Sequence, residues 1–281
     1  MILNILIPAG VVGVMGAIFG AILAYASKKF HVDKDPKIDE IVEVLPGANC
    51  GGCGYAGCSA LAEAVVAGES PVNGCPVGGS EVAKKVAAIM GVDAGEDIRK
   101  YAYVKCAGQR NLCKNKYEYY GGLDCKEASI TFGGDKACAY GCLGYGTCVK
   151  ACQFGAISIV DGIAVIDSDK CTSCGACIKV CPRNVIELRI DTDSVAALCN
   201  NKEKGKAVKS ICDVGCIGCG ICAKNCPSEA ITMDKETNLP VIDMKKCQNC
   251  GVCVSKCPQN VIHSKTNAKE DDSADKNVVN E

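Results

Sequence analysis

The first 26 residues form one apolar run. Between residues 1 and 26 the only clearly polar side chain is Asn4, and Lys28 and Lys29 follow at once. A run of this length is about what a helix needs to cross the hydrocarbon core of a bilayer. A cleaved signal peptide carries its positive charge before the apolar run, whereas here the charge follows it. We therefore predict a transmembrane anchor over residues 1–27, with the rest of the chain on the cytoplasmic side.

Small residues recur along this run at helical spacing, as Gly10, Gly13, Gly16 and Gly20. Such spacing lets a neighbouring helix approach closely. The pattern favours a partner subunit in the membrane, and a lone glycine-rich anchor is the alternative.

Helical periodicity returns after the anchor and surrounds a glycine-rich turn. Ile38, Ile41, Val42 and Leu45 recur at helical spacing up to Pro46-Gly47, and further amphipathic stretches cover 60–67 and 82–91. The turns between them carry Cys50, Cys53, Cys58 and Cys75. We predict a small helical domain over residues 33–95 in which these four thiolates hold one iron-sulfur cluster, cluster 1. A zinc site with the same ligands is the alternative.

Near the C-terminus the pattern changes to short cysteine runs, each followed by a short apolar stretch. Two runs have the spacing C-x-x-C-x-x-C-x-x-x-C-P, namely Cys216, Cys219, Cys222 and Cys226, then Cys247, Cys250, Cys253 and Cys257. In this paired bacterial ferredoxin motif the fourth cysteine of each run ligates the other cluster. The predicted sets are Cys216, Cys219, Cys222 and Cys257 for cluster 4, and Cys226, Cys247, Cys250 and Cys253 for cluster 5. A two-cluster unit is therefore predicted over residues 196–265.

An earlier pair of runs repeats this pattern with one ligand missing. Segment 137–152 aligns with 211–226 and matches four cysteines and three glycines, but Tyr145 stands where the later copy has Cys219, and Gln153 replaces the proline of the other runs. Cluster 3 is predicted from Cys152, Cys171, Cys174 and Cys177. Cluster 2 is predicted from Cys142, Cys148 and Cys181, with Cys138 as the nearest candidate for the fourth ligand. The first ferredoxin-like unit, with a cysteine-rich insertion, is placed at 98–195.

Five cysteines have no place in these runs: Cys106, Cys113, Cys125, Cys199 and Cys212. A further cluster could use Cys106, Cys113 and Cys125 with Cys138. Buried free thiols that pack as small hydrophobic groups are an equal alternative. The sequence therefore predicts about five [4Fe-4S] clusters and leaves a sixth open.

Composition agrees with metal ligation. The chain has 25 cysteines, four phenylalanines and no tryptophan, so an aromatic core is not expected. A disulfide framework has no reason to repeat the ferredoxin spacing, and His31 and His263 are interpreted as surface residues rather than zinc ligands. A net charge of −1 gives no signature of nucleic-acid binding. No catalytic residue and no dinucleotide-binding motif is identified.

The order of the parts is specific. A glycine-rich anchor, PGANCGGCGYAGC at 46–58, GCPVGG at 74–79 and KACAYGCLGYGTCVKAC at 136–152 precede the stacked ferredoxin motifs. This order resembles the B subunit of the Rnf complex, the ion-translocating ferredoxin:NAD+ oxidoreductase of bacteria. The resemblance implies an α+β, membrane-bound electron carrier that takes electrons from reduced ferredoxin and relays them through its clusters to other subunits. Those subunits would bind NAD and flavin, and the complex would export Na+ or H+.

Three other functions compete with this interpretation. The nearest is an electron-transfer subunit of another membrane oxidoreductase, such as a hydrogenase or formate dehydrogenase; a redox sensor and a zinc-binding structural protein are more distant. Lys202, Lys204, Lys206 and Lys209 form either a docking loop for an acidic ferredoxin or a solvated loop. The acidic tail at 266–281 is expected to be disordered.

Overall fold

The computed structural model describes residues 2–29, 35–95, 99–191 and 195–264. His31 and the predicted tail at 266–281 lie outside these ranges. A helix, α1 (Ile2–Lys29), follows the N-terminal apolar run, and its side chains from Gly13 to Tyr25 are exposed. Within the described ranges, no helix combines the length and the apolar character that a membrane span needs. The anchor at residues 1–27 therefore stays a prediction.

Three helices build the core of the predicted single-cluster domain: α2 (Pro36–Val44), α3 (Cys58–Val66) and α4 (Gly79–Met90). Asp35 caps α2 by accepting a hydrogen bond from the Lys37 amide, and proline occupies its first turn, where no intrahelical donor is lost. The helices meet through a buried apolar cluster that includes Ile41, Leu61 and Val86. This cluster also packs against Cys53, Cys58 and Cys75, so the core holds the cysteine turns in place.

Two ferredoxin-like units follow, and each combines short strands with short helices. The first contains β1 (Lys100–Val104), α5 (Cys125–Ile130), α6 (Thr147–Ala151), β2 (Ile157–Val160), β3 (Ile163–Ile166), α7 (Ala176–Val180) and β4 (Ile186–Ile190). The second contains β5 (Val195–Ala197), α8 (Gly205–Ile211), α9 (Ile221–Lys224), β6 (Ile231–Met233), β7 (Pro240–Ile242), α10 (Val252–Ser255) and β8 (Ile262–Ser264). The mixed helix and strand content predicted from the sequence is confirmed.

Both units have the same antiparallel topology. In each, the first strand pairs with the last, β1 with β4 and β5 with β8, and the two middle strands form a hairpin. The β2–β3 hairpin turns at Asp161-Gly162, where both residues have positive φ, as a two-residue turn of this kind requires. Each helix that carries a third cysteine packs against its counterpart, α6 against α7 and α9 against α10. This topology brings the two cysteine runs of a unit together.

The units also contact each other directly. The Ala107 amide donates to the Leu198 carbonyl at 3.1 Å, which joins the segments that follow β1 and β5. A second connection is an isolated antiparallel bridge between Cys113 and Cys212. Its flanking bonds run from the Lys114 amide to the Ile211 carbonyl and from the Asp213 amide to the Leu112 carbonyl, both at 2.9 Å. The seam between the units is therefore lined with cysteines.

Candidate cluster-binding sites

All four ferredoxin-type runs have the same backbone conformation around their cysteines. A left-handed residue lies between the first two ligand positions, a left-handed glycine precedes each helix that bears the third cysteine, and another left-handed residue lies three positions after the fourth. These residues are Gly144, Ser173, Gly218 and Asn249; Gly146, Gly175, Gly220 and Gly251; and Gly155, Asn184, Glu229 and Asn260. The run with Tyr145 therefore has the same loop as the complete runs.

One cavity collects the cysteines predicted for cluster 4. Cys216, Cys219, Cys222 and Cys257 line about 340 Å³ of empty space, with Met233, Pro240 and Ile262 among the apolar walls. Burial raises the pKa of Cys216 to about 11, and nearby thiols, Cys222 and Cys257 among them, raise it further. Four thiols that repel one another when ionised need a positive group between them, and the irons of a cubane would supply it. The residues present therefore fit a [4Fe-4S] cluster.

Main-chain amides point at several of these sulfurs. The Val261 amide donates to Cys257 Sγ at 3.2 Å, and the Ala230 amide donates to Cys226 Sγ at 3.3 Å in the equivalent position of the other run. In the first unit the Ala102 amide donates to Cys171 Sγ at 3.3 Å. Such bonds favour the thiolate and tune the potential of a cluster that it ligates.

A second cavity contains the four cysteines of the N-terminal domain. Cys50, Cys53, Cys58 and Cys75 line about 300 Å³ of empty space below the α2–α3 core. Asn49 Oδ1 accepts a 2.8 Å hydrogen bond from the Cys58 amide and fixes the start of α3. Burial raises the pKa of Cys75, while the amides of Gly78 and Val77 act in the opposite direction. The site therefore consists of glycine-rich turns that pack on a helical core.

The cysteines predicted for clusters 3 and 5 are also neighbours. Burial raises the pKa of Cys177 to about 11, with further contributions from the thiols of Cys171, Cys174 and Cys152. Burial raises the pKa of Cys253 in the same way, with smaller contributions from Cys247 and Cys250. Cys226 and Cys247 both pack against the buried cluster that contains Cys253.

Tyr145, which stands in place of a run cysteine, is buried in the first unit. Its ring is buried against Tyr119, with centroids 5.1 Å apart, and lies 5.9 Å from the Arg110 guanidinium. Burial raises the pKa of Tyr145, and a hydrogen bond with Asp135 raises it further. Cys125 belongs to the same buried cluster as Tyr145. Cys125, which lies in the insertion between β1 and residue 137, is therefore beside the position that a ligand normally occupies.

The insertion holds Cys125 against the helix that bears Cys148. The Cys125 amide donates to Thr147 Oγ1 at 2.7 Å, and that hydroxyl donates to Asp124 Oδ2 at 3.1 Å. Burial raises the pKa of Cys148 to about 12, and the nearby thiols of Cys142, Cys125 and Cys181 act in the same direction. Each of these three thiols therefore lies near Cys148, as Cys177 of the cluster 3 set also does. Cys142 and Cys148 share one buried cluster, and Cys181 packs against it.

Cys138 does not belong to this group. It is buried with Cys113 and Cys212, and with Cys106 and Cys199 these thiols line another cavity. The geometry thus favours Cys125 over Cys138 as the fourth thiol beside Cys142, Cys148 and Cys181. It also separates Cys125 from Cys106 and Cys113, with which the sequence analysis grouped it. The cysteine spacing could not predict that Cys125 takes the place of Cys138, because Cys125 lies in an insertion with no counterpart in the other unit.

His263 is exposed, as expected, and its Nε2 lies 2.9 Å from the Asn260 carbonyl oxygen. Within the described ranges, no three His, Cys, Asp or Glu side chains are close enough to hold a single metal ion. The four thiolates of a cubane bind four different irons and are spaced more widely than the ligands of one ion.

Three stretches of the chain match known iron-sulfur families. Residues 45–77 match the family described as "Putative Fe-S cluster", residues 164–187 match "4Fe-4S binding domain", and residues 215–261 match "4Fe-4S dicluster domain". Together with the cysteine-lined cavities, these matches define the chain as an iron-sulfur protein with ferredoxin-like [4Fe-4S] domains.

Curated relatives narrow this class. The B subunit of the Na(+)-translocating ferredoxin:NAD(+) oxidoreductase complex of Acetobacterium woodii is 49% identical over 88% of this chain and 74% of its own length. The B subunit of the ion-translocating oxidoreductase complex of Methanosarcina acetivorans is 47% identical over 83% and 88%, and that of the proton-translocating complex of Clostridium ljungdahlii is 44% identical over 84% of each. The chain belongs to the family formed by the B subunits of Rnf-type ion-translocating oxidoreductases. The resemblance noted in the sequence is therefore confirmed.

Proposed function

We propose that this chain is the electron-transferring B subunit of a membrane-bound, ion-translocating ferredoxin:NAD+ oxidoreductase. It takes electrons one at a time from reduced ferredoxin and passes them through [4Fe-4S] clusters to the other redox subunits of the complex. The observation that carries the proposal is the cavity where Cys216, Cys219 and Cys222 of one run meet Cys257 of the other. Two-run ligation of this kind is the hallmark of two-cluster ferredoxins.

Five cluster sites belong to this function. Four sets are those expected from the spacing, and the set of cluster 2 takes Cys125 instead of Cys138. The sets are Cys50, Cys53, Cys58 and Cys75; Cys125, Cys142, Cys148 and Cys181; Cys152, Cys171, Cys174 and Cys177; Cys216, Cys219, Cys222 and Cys257; and Cys226, Cys247, Cys250 and Cys253. Each bound cluster supplies reversible one-electron chemistry.

The residues of the chain bind each cluster, orient it and shield it from water. Thiolates fix each cluster, amides such as those of Val261 and Ala230 donate to the ligand sulfurs, and apolar walls such as Ile262 keep water away. These are the factors that set the potential of an iron-sulfur centre. No proton transfer by a side chain is needed for this work.

The remaining assignments complete the proposal. The anchor at 1–27 holds the chain at the membrane, the single-cluster domain at 33–95 and the units at 98–195 and 196–265 lie on the cytoplasmic side, and partner subunits bind flavin and NAD. The apolar N-terminal run, followed by Lys28 and Lys29, supports the anchor and its orientation. The relatives' names, which include ferredoxin and NAD(+), support the redox partners. Because the chain takes its electrons from reduced ferredoxin, ferredoxin must dock on it directly.

A docking surface for ferredoxin is offered by α8. Lys202, Lys204, Lys206 and Lys209 are all exposed, and the last two lie on this helix next to the seam between the units. An acidic protein is steered toward such a surface at low ionic strength. The lysines therefore form the proposed entry side of the relay.

The test is reduction of the anaerobically purified full chain by reduced ferredoxin in a stopped-flow instrument. We expect Lys206→Glu with Lys209→Glu to lower the second-order rate by about tenfold at low salt and to flatten its salt dependence. Lys84→Glu with Lys85→Glu places the same charge change on exposed positions of α4 and should leave the rate within about twofold. Equal rates for both variants would exclude α8 as the docking surface, and no reduction of the unmodified chain would exclude the proposed function.

A further inference from the structure

Five cysteines that the proposed relay does not use line one cavity at the seam between the two units. They are Cys106, Cys113, Cys138, Cys199 and Cys212, and they line about 350 Å³ of space that is partly open to solvent. Its size is close to that of the cavity formed by the cysteines of cluster 4. The cavity takes Cys106, Cys113 and Cys138 from the first unit and Cys199 and Cys212 from the second.

Two glycines show how closely the sulfurs surround this space. A methyl group added at Gly108 would lie 3.5 Å from Cys212 Sγ and 3.6 Å from Cys106 Sγ. One added at Gly141 would lie 3.4 Å from Cys138 Sγ and 3.6 Å from Cys106 Sγ. Larger side chains at either position would begin to fill the cavity.

Four of the five thiols lie around the same space. Cys113, Cys138 and Cys212 pack in one buried cluster, and Cys113 and Cys212 are directly opposite each other in the isolated bridge. Cys106 joins them, because its sulfur and that of Cys212 both lie within 3.6 Å of the position of a methyl group added at Gly108.

Buried polar side chains line the same cavity. Lys136 is 2% exposed, and its ammonium group donates to the carbonyl oxygens of Gly108 at 2.7 Å and Gly162 at 3.0 Å. Asn201, also 2% exposed, donates from Nδ2 to Cys138 Sγ at 3.5 Å. A buried cation and an amide donor beside a group of thiols suit an occupant of negative charge. An apolar core of free thiols has no need for either.

We propose that Cys106, Cys113, Cys138 and Cys212 hold a sixth [4Fe-4S] cluster, which joins the two ferredoxin-like units. The proposal rests on the proposed electron relay and extends it. On one side, Cys106 packs against the buried cluster that contains Cys142 and Cys148 of cluster 2. On the other side, the Cys216 amide of cluster 4 donates to Cys199 Sγ at 3.3 Å. Held by these four thiolates, a cluster would supply reversible one-electron transfer between the sites of clusters 2 and 4.

Cys199 is the remaining thiol of the cavity and has a different role. Its sulfur accepts the Cys216 amide and packs beside Leu239 and Val261, on the side of cluster 4. With Cys125 in cluster 2, six sets of four account for 24 of the 25 cysteines, and Cys199 is the one left. It therefore provides a control from the wall of the same cavity.

The main rival is a disulfide between Cys113 and Cys212. These residues are directly opposite in the isolated bridge, and the flanking hydrogen bonds make them a non-hydrogen-bonded pair, in which side chains come closest. A disulfide would leave Cys106 and Cys138 as free thiols and Lys136 without a negative partner in the cavity.

The test begins with iron and acid-labile sulfide per chain in the anaerobically purified full-length protein. Six cubanes require about 24 iron atoms and five require about 20. We expect about 24 in the unmodified chain and in Cys199→Ala, and about 20 in Cys113→Ala and Cys212→Ala. The two lower counts should be accompanied by unchanged Mössbauer parameters of the remaining clusters.

Three outcomes would overturn the proposal. These are a count of about 20 in the unmodified chain, a loss of iron in Cys199→Ala but not in Cys113→Ala, and a mass shift that reveals a Cys113–Cys212 disulfide. The count in the unmodified chain decides the question even if the variants fail to fold. An iron count near zero, without acid-labile sulfide, would instead refute the proposed function itself.

Discussion

Gly52 offers a direct way to test how the N-terminal domain meets the first ferredoxin-like unit. A Cβ at this position would lie 2.8 Å from the Cys174 carbonyl oxygen and 2.9 Å from its Cα, whereas ordinary contacts begin at 3.4 Å. The domain would therefore have to move back by about 0.6 Å, since backbone atoms cannot rotate away as side chains do. The turns that carry the cysteines proposed for clusters 1 and 3 meet at this contact.

The expected cost follows from overpacking. Inserting a methyl group into a close contact costs about 1–3 kcal/mol, which lowers the equilibrium constant for docking by about 5-fold to about 150-fold. We predict that Gly52→Ala weakens the contact between the two turns while all clusters are retained. The assay is electron paramagnetic resonance of the fully reduced protein, because the magnetic interaction between neighbouring clusters falls steeply with distance.

Gly51→Ala is the matched control. Gly51 has a φ of 66°, so alanine strains the same loop locally, but the nearest atom to an added Cβ is the Tyr55 carbonyl oxygen at 3.6 Å. The control should keep the magnetic interaction that Gly52→Ala loses. If both variants show the spectrum of the unmodified protein, the close approach of the two turns does not govern docking, and the reasoning is refuted.

Three further predictions concern stability. Ile41→Ala, at a fully buried position, should lower the free energy of unfolding of the N-terminal domain by about 2–5 kcal/mol in anaerobic denaturation, whereas Val92→Ala, at a 53% exposed position, should change it by less than about 0.5 kcal/mol. Lys136→Met leaves two buried main-chain carbonyls without a donor, at about 1–3 kcal/mol each, so its thermal midpoint should fall well below that of the exposed control Lys126→Met. Asn260 has a φ of 48°, so Asn260→Val should speed iron loss to a chelator while Asn260→Gly should not; equal rates would show that the left-handed turn carries no strain.

The ferredoxin-type runs of this chain could be predicted from its sequence, because their pattern is local and repeats. Ferredoxin spacing predicts the ligand sets. Each fourth cysteine is followed by a short apolar stretch that forms a strand in every copy, as at Ile157, Ile186, Ile231 and Ile262. Periodic apolar positions also predicted the α2–α4 domain, with Ile41 and Val86 in its core. In these regions the local pattern and the tertiary contact agree.

The insertion and the seam could not be predicted in this way. Cys125 lies against α6 because Asp124, Thr147 and Lys150 fix the insertion on that helix, and none of these hydrogen bonds has a spacing signature. Cys113 meets Cys212 across 99 positions of sequence, through a single bridge rather than a strand. Contacts of this kind depend on the packing of one unit on the other, which a repeat pattern does not contain.

The strand order also has a consequence for biosynthesis. In the first unit Lys100 pairs with Ile190, so β1 has no partner until about 90 more residues have been made. At 5–20 residues per second this takes about 5–18 s. By the end of that interval a growing chain exposes a bare strand edge together with the eleven thiols between β1 and β4, and Cys181 leaves the ribosome only shortly before β4. Production in a host with a slow or scarce iron supply should therefore fail first at this stage, as oxidised or aggregated nascent chains, before the finished protein is ever challenged.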